Sequence, residues 1–467
     1  MRAHEAGALH GQSRQRPSWL ASPADVNELV PSLWAESVTK NGNELEVGGL
    51  RASAIAAEVG TPAYVLDEQD FRSRARAFAE AFADDELPAT VYYAGKAFLC
   101  RAAVQWIDAE GLGLDVCSGG ELAVALSAGF PPARVTLHGN NKSDAELQRA
   151  VEVGVGRVAV DSVDDIDRLD QLAQEAGVQM PVLVRVTVGV EAHTHDYIAT
   201  AHEDQKFGLS LADGHAADAA RRVHAARGLR LLGLHSHIGS QIFDTSGFEV
   251  AARRVLGLHA QLSAELGAEM PELDLGGGFG IAYSTQDDPQ TPDELAEGIR
   301  AIVGHECHAL GIDVPHLSVE PGRAIAGPST FTLYEVGTVK QVALDAGASR
   351  TYVSVDGGMS DNVRTALYGA DYSCTLASRR SSAEPVLSRV VGKHCESGDI
   401  VVKDEYLPGD IRRGDLIAVP ATGAYCRSLA STYNHVPRPP VVAVRDGAVR
   451  VLLRRETEDD LLRLDVG

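Results

Sequence analysis

Short runs of β-branched and aromatic residues alternate with longer stretches in which apolar residues recur at helical spacing. The first kind of run predicts strands, and the second predicts amphipathic helices. The strand-like runs cover residues 90–96, 113–118, 134–139, 157–161, 181–188, 230–238, 272–276 and 316–320. The helical stretches between them include 119–128, 143–153, 164–176, 212–227, 247–267 and 292–310. This α/β alternation over roughly 250 residues favours a (β/α)8 barrel of the TIM type, and an open doubly wound sheet is the alternative.

The pattern changes after Pro328, where helical spacing nearly vanishes. Strand signals with turn residues occur at 331–342, 351–356, 385–394, 399–403, 415–419 and 439–453. They predict a separate C-terminal all-β domain, a sandwich or barrel. Near the N-terminus, a short strand pair is predicted around Asn41-Gly42, followed by a helix at 51–59. We therefore expect a disordered tail over 1–25, a segment at 26–64 that packs on the β domain, the barrel over 65–328, and the β domain over 329–467.

Polar residues mark the carboxyl ends of the eight strand-like runs. The rim formed by these ends is where barrels of this type carry their active sites. Chance would place a few reactive side chains there, but not one at every strand. The set comprises Lys96, Asp115, His138, Asp161, Arg185, His237, Gly276 and Glu320.

Composition narrows the range of partners. Apolar residues make up 45% of the chain and charged residues 23%, with a net charge of -23. Such acidity argues against binding to nucleic acid or to an anionic membrane surface, and no apolar window approaches the ~18 residues of a membrane span. The six cysteines form no CxxC pair, which predicts reduced thiols and a cytoplasmic protein.

The run from Thr90 to Lys96 ends on a single lysine beside two tyrosines and small residues. A buried lysine with a lowered pKa can form an imine with the aldehyde of pyridoxal 5'-phosphate (PLP), whereas an isolated lysine at a strand end is more often solvated. Downstream, the glycine cluster Gly276–Gly280 offers bare amides to a phosphate, and the Ser240 hydroxyl would add a donor. A tight turn without a ligand is the alternative. The cluster is not a dinucleotide fingerprint, because Ile281 stands where that motif has glycine.

Glu320 opens the sequence Glu320-Pro321-Gly322-Arg323 at the end of the last predicted barrel strand. A carboxylate there can pair with a pyridine nitrogen and keep it protonated; a structural ion pair with Arg323 is the alternative. His237 can stack on a ring. In this order along the chain, the lysine, the glycine cluster and the acid predict a PLP site.

The β-rich part adds further candidates. Cys395, in a turn-rich segment, can deliver a proton, although most single cysteines only pack. Arg364 and Tyr368 are one helical turn apart and can face one carboxylate, and Tyr425 can reach a phosphate. Two histidine groups have spacings that suggest metal, but neither shows supporting ligands, and no metal site is predicted; they are His193, His195 and His202, and His305 with His308.

Taken together, the motifs resemble one family, the diaminopimelate decarboxylases, within the alanine-racemase-like, fold-type III PLP-dependent decarboxylases. The resemblance runs from about Val26 to the end and leaves out the first 25 residues. The matching motifs are Tyr93–Ala97, His235–Gln241, Gly276–Gly280, Glu320–Arg323, Asp361–Tyr368, Cys395–Asp399 and Gly423–Tyr425.

The resemblance implies a role for each candidate. Lys96 would bind PLP covalently, His237 would stack on its ring and Glu320 would hold the pyridinium. Contacts to the cofactor, mainly its phosphate, would come from Ser240, Gly277, Gly278, Glu320, Pro321, Gly322, Arg323 and Tyr425. Arg323, Arg364, Tyr368, Tyr425 and Glu396 would bind the substrate. Cys395 would be the proton donor, contributed by the other subunit of a homodimer with shared active sites.

The reaction implied is decarboxylation of meso-2,6-diaminopimelate to L-lysine, the last step of lysine biosynthesis. Decarboxylases of ornithine, lysine or arginine act on substrates without a distal carboxylate, so Arg323 and Arg364 would be left unpaired there. A related decarboxylase of D-amino acids shares most of these motifs. A PLP racemase would need a lysine and a tyrosine on opposite faces of the ring, and Cys395 favours decarboxylation instead. A catalytically silent PLP-binding protein would not need the full set.

Overall fold

A computed structural model describes residues 16–84, 87–189, 206–344 and 349–467. The chain forms two compact units. One is barrel-containing and comprises Arg72–Gly280 and Pro289–Ala324. The other is β-rich and comprises Met1–Phe71, Ile281–Asp288 and Ile325–Gly467. The sequence pattern did not indicate that the short segment Ile281–Asp288 groups with the β-rich unit.

Eight parallel strands form the barrel. In chain order they are Ala89–Ala94, Gly113–Val116, Val135–Leu137, Arg157–Val160, Met180–Thr187, Leu229–Ser236, Glu272–Gly277 and His316–Glu320. Each strand pairs with the next, and the eighth pairs with the first, so the sheet is closed. A two-residue strand, Leu209–Ser210, pairs in parallel with the end of the fifth strand. The prediction of a (β/α)8 barrel is therefore confirmed, and the open sheet is excluded.

Helices separate the barrel strands because the sequence supplies both the apolar face and the end signals. They are Glu68–Ala81, Arg101–Ala109, Gly119–Ser127, Asp144–Val153, Val163–Ala176, His215–Ala225, Ser246–Leu266, Pro292–Leu310 and the short Arg323–Ala326. Ser143 and Thr291 each begin a helix with a reciprocal capping box. Gly177 and Gly311 end helices in the left-handed conformation that glycine adopts without strain. None of the described helices is both long and apolar enough to span a membrane.

The barrel interior contains a polar cluster around Arg157 of the fourth strand. The guanidinium carbon lies 4.0 Å from the ring centroid of Tyr92. A guanidinium nitrogen is 3.4 Å from the Asp274 carboxylate, and the group also pairs with Glu272. Ser318 accepts a hydrogen bond of 3.1 Å from it. Because a buried charge is stable only when paired and hydrogen-bonded, these contacts hold the strands in register while filling the barrel.

The β-rich unit is built on a mixed sheet. Its strands are Ala63–Asp67, Thr330–Ala343, Ser349–Val355, Thr375–Leu376, Pro385–Val391, Ile400–Pro408, Leu416–Val419, Val441–Arg445 and Ala448–Leu453. The last two form a hairpin whose turn, Asp446-Gly447, has positive φ at both residues, as a tight two-residue hairpin requires. The unit also contains two short helices, Arg364–Tyr368 between two of these strands and Glu458–Leu462 after the last. The prediction of a separate C-terminal β domain is thus confirmed.

The N-terminal segment contributes to the core of the β-rich unit. Helix Ala52–Val59 forms where the sequence predicts it. The regular strand pair lies a few residues later than predicted: Glu46–Val47 pairs with Leu50–Arg51, and the turn is at Gly48-Gly49. At the predicted place, around Asn41-Gly42, the described residues form an isolated bridge between Thr39 and Glu46. Both glycines have positive φ, which suits the tighter turn. Buried side chains of the segment join those of the sheet in one cluster that includes Leu33, Trp34, Leu45, Ile55, Phe331, Leu333, Leu416 and Val442.

Candidate active site

A cavity of about 370 Å³ lies at the carboxyl ends of the barrel strands. Lys96 lies two residues beyond the first strand and lines it. The sequence places reactive side chains here because each follows or ends a strand that points toward the same rim. The other lining residues include Asp115, Cys117, His138, Arg185, Phe207, His235, His237, Gly239 and Glu320.

Glu320, the last residue of the eighth strand, is contacted by two histidines. Nε2 of His235 is 3.1 Å from its Oε1, and Nε2 of His138 is 3.2 Å from the same oxygen. Burial by itself would raise the pKa of Glu320. His138 above all, and His235 beside it, outweigh that effect and hold the pKa well below its usual range. Glu320 is therefore an anion at neutral pH.

Asp115 and His138 form a second pair beside Glu320. Nε2 of His138 is 3.5 Å from Oδ1 of Asp115. Burial and the nearby Glu320 raise the pKa of Asp115 to about 6. Burial opposes protonation of His138, but the two carboxylates raise its pKa to about 9. His138 is thus an imidazolium between two carboxylates at neutral pH.

His237 lies just after the sixth strand and is neutral, because burial and then the nearby Lys96 keep its pKa well below the usual value. The backbone N–H of Gly277 lies 3.4 Å from its Nδ1. Gly278 has a φ of 103°, and a Cβ there would collide with the carbonyl oxygen of Gly239. The glycine cluster therefore allows two backbone segments to approach closely.

Arg323 and Ser240 are joined directly. The guanidinium donates a hydrogen bond of 2.7 Å to the Ser240 hydroxyl. The turn before Arg323 packs on the end of the first strand, where the Pro321 carbonyl accepts a hydrogen bond of 3.1 Å from Ala94 N–H. A Cβ on Gly322 would lie 2.9 Å from Ala94. The structure thus brings a cation and a hydroxyl together next to the segment that carries Lys96.

These residues fit PLP. The cofactor requires a primary amine for its aldehyde, a partner for its ring nitrogen, and donors for its phosphate. The barrel unit supplies Lys96 for the first, the Glu320 anion for the second, and Ser240, Arg323 and glycine amides for the third. Buried polar atoms without a hydrogen-bond partner among the described residues face this region, including both carboxylate oxygens of Asp115 and Nδ1 of His235. A polar ligand at this place would leave fewer of them unsatisfied.

In the β-rich unit, Arg364 begins the helix Arg364–Tyr368 and is buried. Its guanidinium carbon is 4.7 Å from the ring of Tyr283 and 6.0 Å from that of Tyr425. It donates a hydrogen bond of 2.7 Å to the Tyr372 hydroxyl. Burial opposes its charge, but the surrounding tyrosines raise its pKa, so it stays cationic. Its Nε has no hydrogen-bond partner among the described residues.

Tyr368, predicted to share a carboxylate with Arg364, has a different environment. Its side chain is 65% exposed, whereas Arg364 is 6% exposed. Tyr425 has a φ of 69°, and the structure brings it to Arg364.

Cys395 and Glu396 lie on an exposed loop of the β-rich unit. The Asp399 carboxylate anchors this loop by accepting hydrogen bonds from the backbone N–H groups of Met359, at 2.6 Å, and His394, at 2.7 Å. The Cys395 N–H donates to the amide oxygen of Asn434 at 3.3 Å. The backbone is therefore fixed while the thiol and the carboxylate remain accessible.

Sequence reasoning missed the roles of His235, Tyr283 and Tyr372. His235 had a signal, since it is two residues from His237 and side chains at that spacing share a face of a strand. The two tyrosines had none, because they reach Arg364 from separate stretches of the chain. Of the histidines with metal-like spacing, His193, His195 and His202 lie outside the described residues, and His305 and His308 are exposed on helix Pro292–Leu310.

Comparison with known proteins identifies relatives over nearly the whole chain. The family model for the pyridoxal binding domain of pyridoxal-dependent decarboxylases matches residues 68–327. The diaminopimelate decarboxylase of Mycobacterium tuberculosis is 60% identical, over 95% of this chain and 99% of its own. That of Bacillus subtilis is 45% identical, over 90% and 95% of the two chains.

Comparison with solved structures gives the same family as the curated relatives. A crystal structure of the diaminopimelate decarboxylase of M. jannaschii, in complex with L-lysine, superposes with a TM-score of 0.86 at 29% identity. It covers 93% of this chain and 98% of that one. A lysine/ornithine decarboxylase of Vibrio vulnificus, with a TM-score of 0.69 at 23% identity, shares the fold. With identity this high over nearly the full length, the chain belongs to the diaminopimelate decarboxylase family of PLP-dependent decarboxylases.

Proposed function

We propose that the protein is a carboxy-lyase that converts meso-2,6-diaminopimelate to L-lysine and CO₂ with PLP as cofactor, which is the last step of lysine biosynthesis. The observation that carries this proposal is the convergence of Lys96, His237 and the Glu320 anion on one cavity, in a chain 60% identical to a diaminopimelate decarboxylase. The six cysteines, all described, are thiols, which agrees with a cytoplasmic enzyme.

PLP, when bound, supplies an electron sink for the pair released as the Cα–carboxylate bond breaks. Lys96 would hold the cofactor through its amine, and Glu320 would keep the ring nitrogen protonated. His237, being neutral, would cover the ring without adding charge beside it. Ser240, Gly277, Gly278 and the turn Glu320–Arg323 would hold the phosphate end, with Tyr425 as a further contact.

The substrate is recognised by its distal amino-acid group. Arg364 is a buried cation whose Nε has no partner in the described part of the chain, and a carboxylate is the ligand that matches its charge and planar shape. Arg323, Tyr368 and Tyr425 would contribute to the same binding, and Glu396 would pair with the distal ammonium. Substrates without a distal carboxylate, such as ornithine, would leave the Arg364 cation without a counterion, which disfavours the alternative decarboxylases.

Cys395 would protonate the carbon that has lost CO₂. Its loop is exposed and its backbone is anchored, which suits a thiol that is presented to a second surface. The second surface is the barrel site of the partner in a homodimer, so that each active site draws on two chains. Lys96 would hold the cofactor again as lysine leaves, and its amine protons would pass to the amine of the product.

The test is an amino-acid panel with CO₂ release measured with and without added PLP. The panel contains the meso, LL and DD forms of diaminopimelate, D- and L-lysine, D- and L-ornithine, and L-arginine. We expect turnover of the meso form, L-lysine as product, and dependence on PLP. Faster turnover of D-ornithine or D-lysine, or interconversion of stereoisomers without CO₂, would contradict the proposal.

A further inference from the structure

His138 connects the two buried carboxylates at the cavity. It directly follows the third strand, and its backbone N–H donates a hydrogen bond of 2.8 Å to the Val116 carbonyl of the second. The side chain is therefore fixed at its root by the sheet. From there Nε2 is within ion-pair distance of Glu320, at 3.2 Å, and of Asp115, at 3.5 Å.

The three side chains are almost completely removed from water. Exposure is 6% for His138, 3% for Asp115 and 8% for Glu320. An isolated carboxylate in such a place would take up a proton, since burial penalises its charged form. One imidazolium between the two carboxylates reduces that penalty for both, and for Glu320 the attraction outweighs it.

His235 cannot replace His138 as the cation. Its Nε2 is 3.1 Å from Glu320, but burial lowers its pKa, so it donates a hydrogen bond as a neutral imidazole. Both histidines meet Oε1 of Glu320, which leaves Oε2 without a hydrogen bond from the described residues. The carboxylate is thus clamped through one oxygen while the other remains available.

We propose that His138 is a positioning residue, an imidazolium that keeps Glu320 ionised and holds it through Oε1, so that Oε2 would be available to the ring nitrogen of PLP. His235 completes the clamp, and Asp115 holds His138 in its charged form. This inference rests on the proposed function in so far as PLP is the ring that Glu320 meets.

The protonation of His138 determines how the cluster responds to pH. The titratable and charged groups around His138 are Asp115, Glu320 and His235 in contact, with Glu121, Asp274, Arg157, Lys96 and His237 beyond them. With a pKa of about 9, His138 is charged at neutral pH and loses its proton as the pH rises through that value. Glu320 loses its cationic partner in the same interval, and the ring nitrogen then loses part of its support.

The experiment compares holoenzymes carrying His138→Gln or His259→Gln with the unsubstituted protein. Glutamine keeps a hydrogen-bond donor but has no charge. His259 is a matched control, since it is equally buried, at 6% exposure, but contacts only the Met270 carbonyl in the hydrogen bonds described. PLP labelled with ¹⁵N at the ring nitrogen reports protonation of that atom directly, and steady-state kinetics report kcat and KM.

For His138→Gln we expect the ring nitrogen to lose its proton at a lower pH than in the unsubstituted enzyme. kcat should fall about 10- to 100-fold, as when outer-shell partners of other active-site groups are removed, with little change in KM. His259→Gln should match the unsubstituted enzyme. An unchanged ¹⁵N titration and unchanged kcat in His138→Gln would overturn the proposal.

Because a buried substitution can prevent folding, the unsubstituted holoenzyme is also measured with ¹⁵N-labelled histidine side chains. One imidazole should remain protonated up to about pH 9. If every histidine loses its proton near the usual pKa of about 6.5, the proposal fails. Failure of the proposed function is distinguishable, since another preferred substrate in the panel would leave both NMR results interpretable.

Discussion

The barrel cavity and the Cys395 loop position their chemistry in opposite ways. In the barrel unit, Glu320 and His138 are buried, and the charge of each depends on the other. In the β-rich unit, Cys395 is exposed, and hydrogen bonds to Asp399 and Asn434 fix the backbone rather than the thiol. Burial sets protonation states in the first region, whereas accessibility is kept in the second. The difference supports the proposal of a barrel site that is prepared within one chain and a loop that acts on a second chain.

The largest effect should come from the barrel side. Lys96→Ala removes the amine that would hold PLP, so we expect CO₂ release from meso-diaminopimelate to fall at least about 1,000-fold. Borohydride treatment of the unsubstituted enzyme should leave the cofactor on a peptide containing Lys96. Lys340→Ala, at an exposed strand position, is the control and should retain activity. Trapping on a different lysine would remove Lys96 from its assigned role.

Arg364→Ala tests the substrate-binding part of the β-rich unit. Removing a buried cation that pairs with a carboxylate costs about 2–5 kcal/mol, so kcat/KM for meso-diaminopimelate should fall accordingly. Residual turnover of lysine or ornithine should change little, because these substrates lack the distal carboxylate. The exposed Arg412→Ala serves as the control. Equal losses on every substrate would mean that Arg364, enclosed by Tyr283 and Tyr372, has a structural role only.

The smallest effect is expected at the loop anchor. Each Asp399 oxygen accepts one backbone N–H, and Asp399→Asn replaces one of these oxygens with an amide donor, at a cost of about 1 kcal/mol. The loop should loosen, so that Cys395 reacts faster with a thiol reagent while kcat falls about 3- to 10-fold. Asp459→Asn, on the C-terminal helix, controls for the loss of one charge. Unaltered thiol reactivity would show that the loop holds its shape without Asp399.

Much of the fold was predictable from local pattern. All eight barrel strands fall within the strand-like runs or within one or two residues of them, because apolar runs between helical stretches favour parallel strands covered by helices. The segments 46–51 and 281–288 were less predictable. The first depends on the turn at Gly48-Gly49, and the second on tertiary contacts that leave no periodicity in the sequence.

The residues of the site also differ in how far the sequence predicts them. Lys96, His237 and Glu320 were identifiable because strand ends meet at one rim, so that chain order predicts spatial order. The protonation of His138 was not identifiable, since it depends on two carboxylates that are 23 and 182 residues away in the sequence. The tyrosines around Arg364 come from separate segments in the same way.

The central claim is that Lys96 and Cys395 act together across two chains, and subunit complementation tests it most directly. Lys96→Ala and Cys395→Ala proteins, each inactive alone, are co-expressed with different affinity tags, and the doubly tagged dimers are purified. In a hybrid dimer one site has Lys96 from one chain and Cys395 from the other, while the second site has both defects. Random assembly makes half the dimers hybrid, so the unfractionated mixture should recover about a quarter of wild-type activity and the purified hybrid about half. Inactive hybrids, despite proven association, would place Cys395 in the site of its own chain and contradict the account.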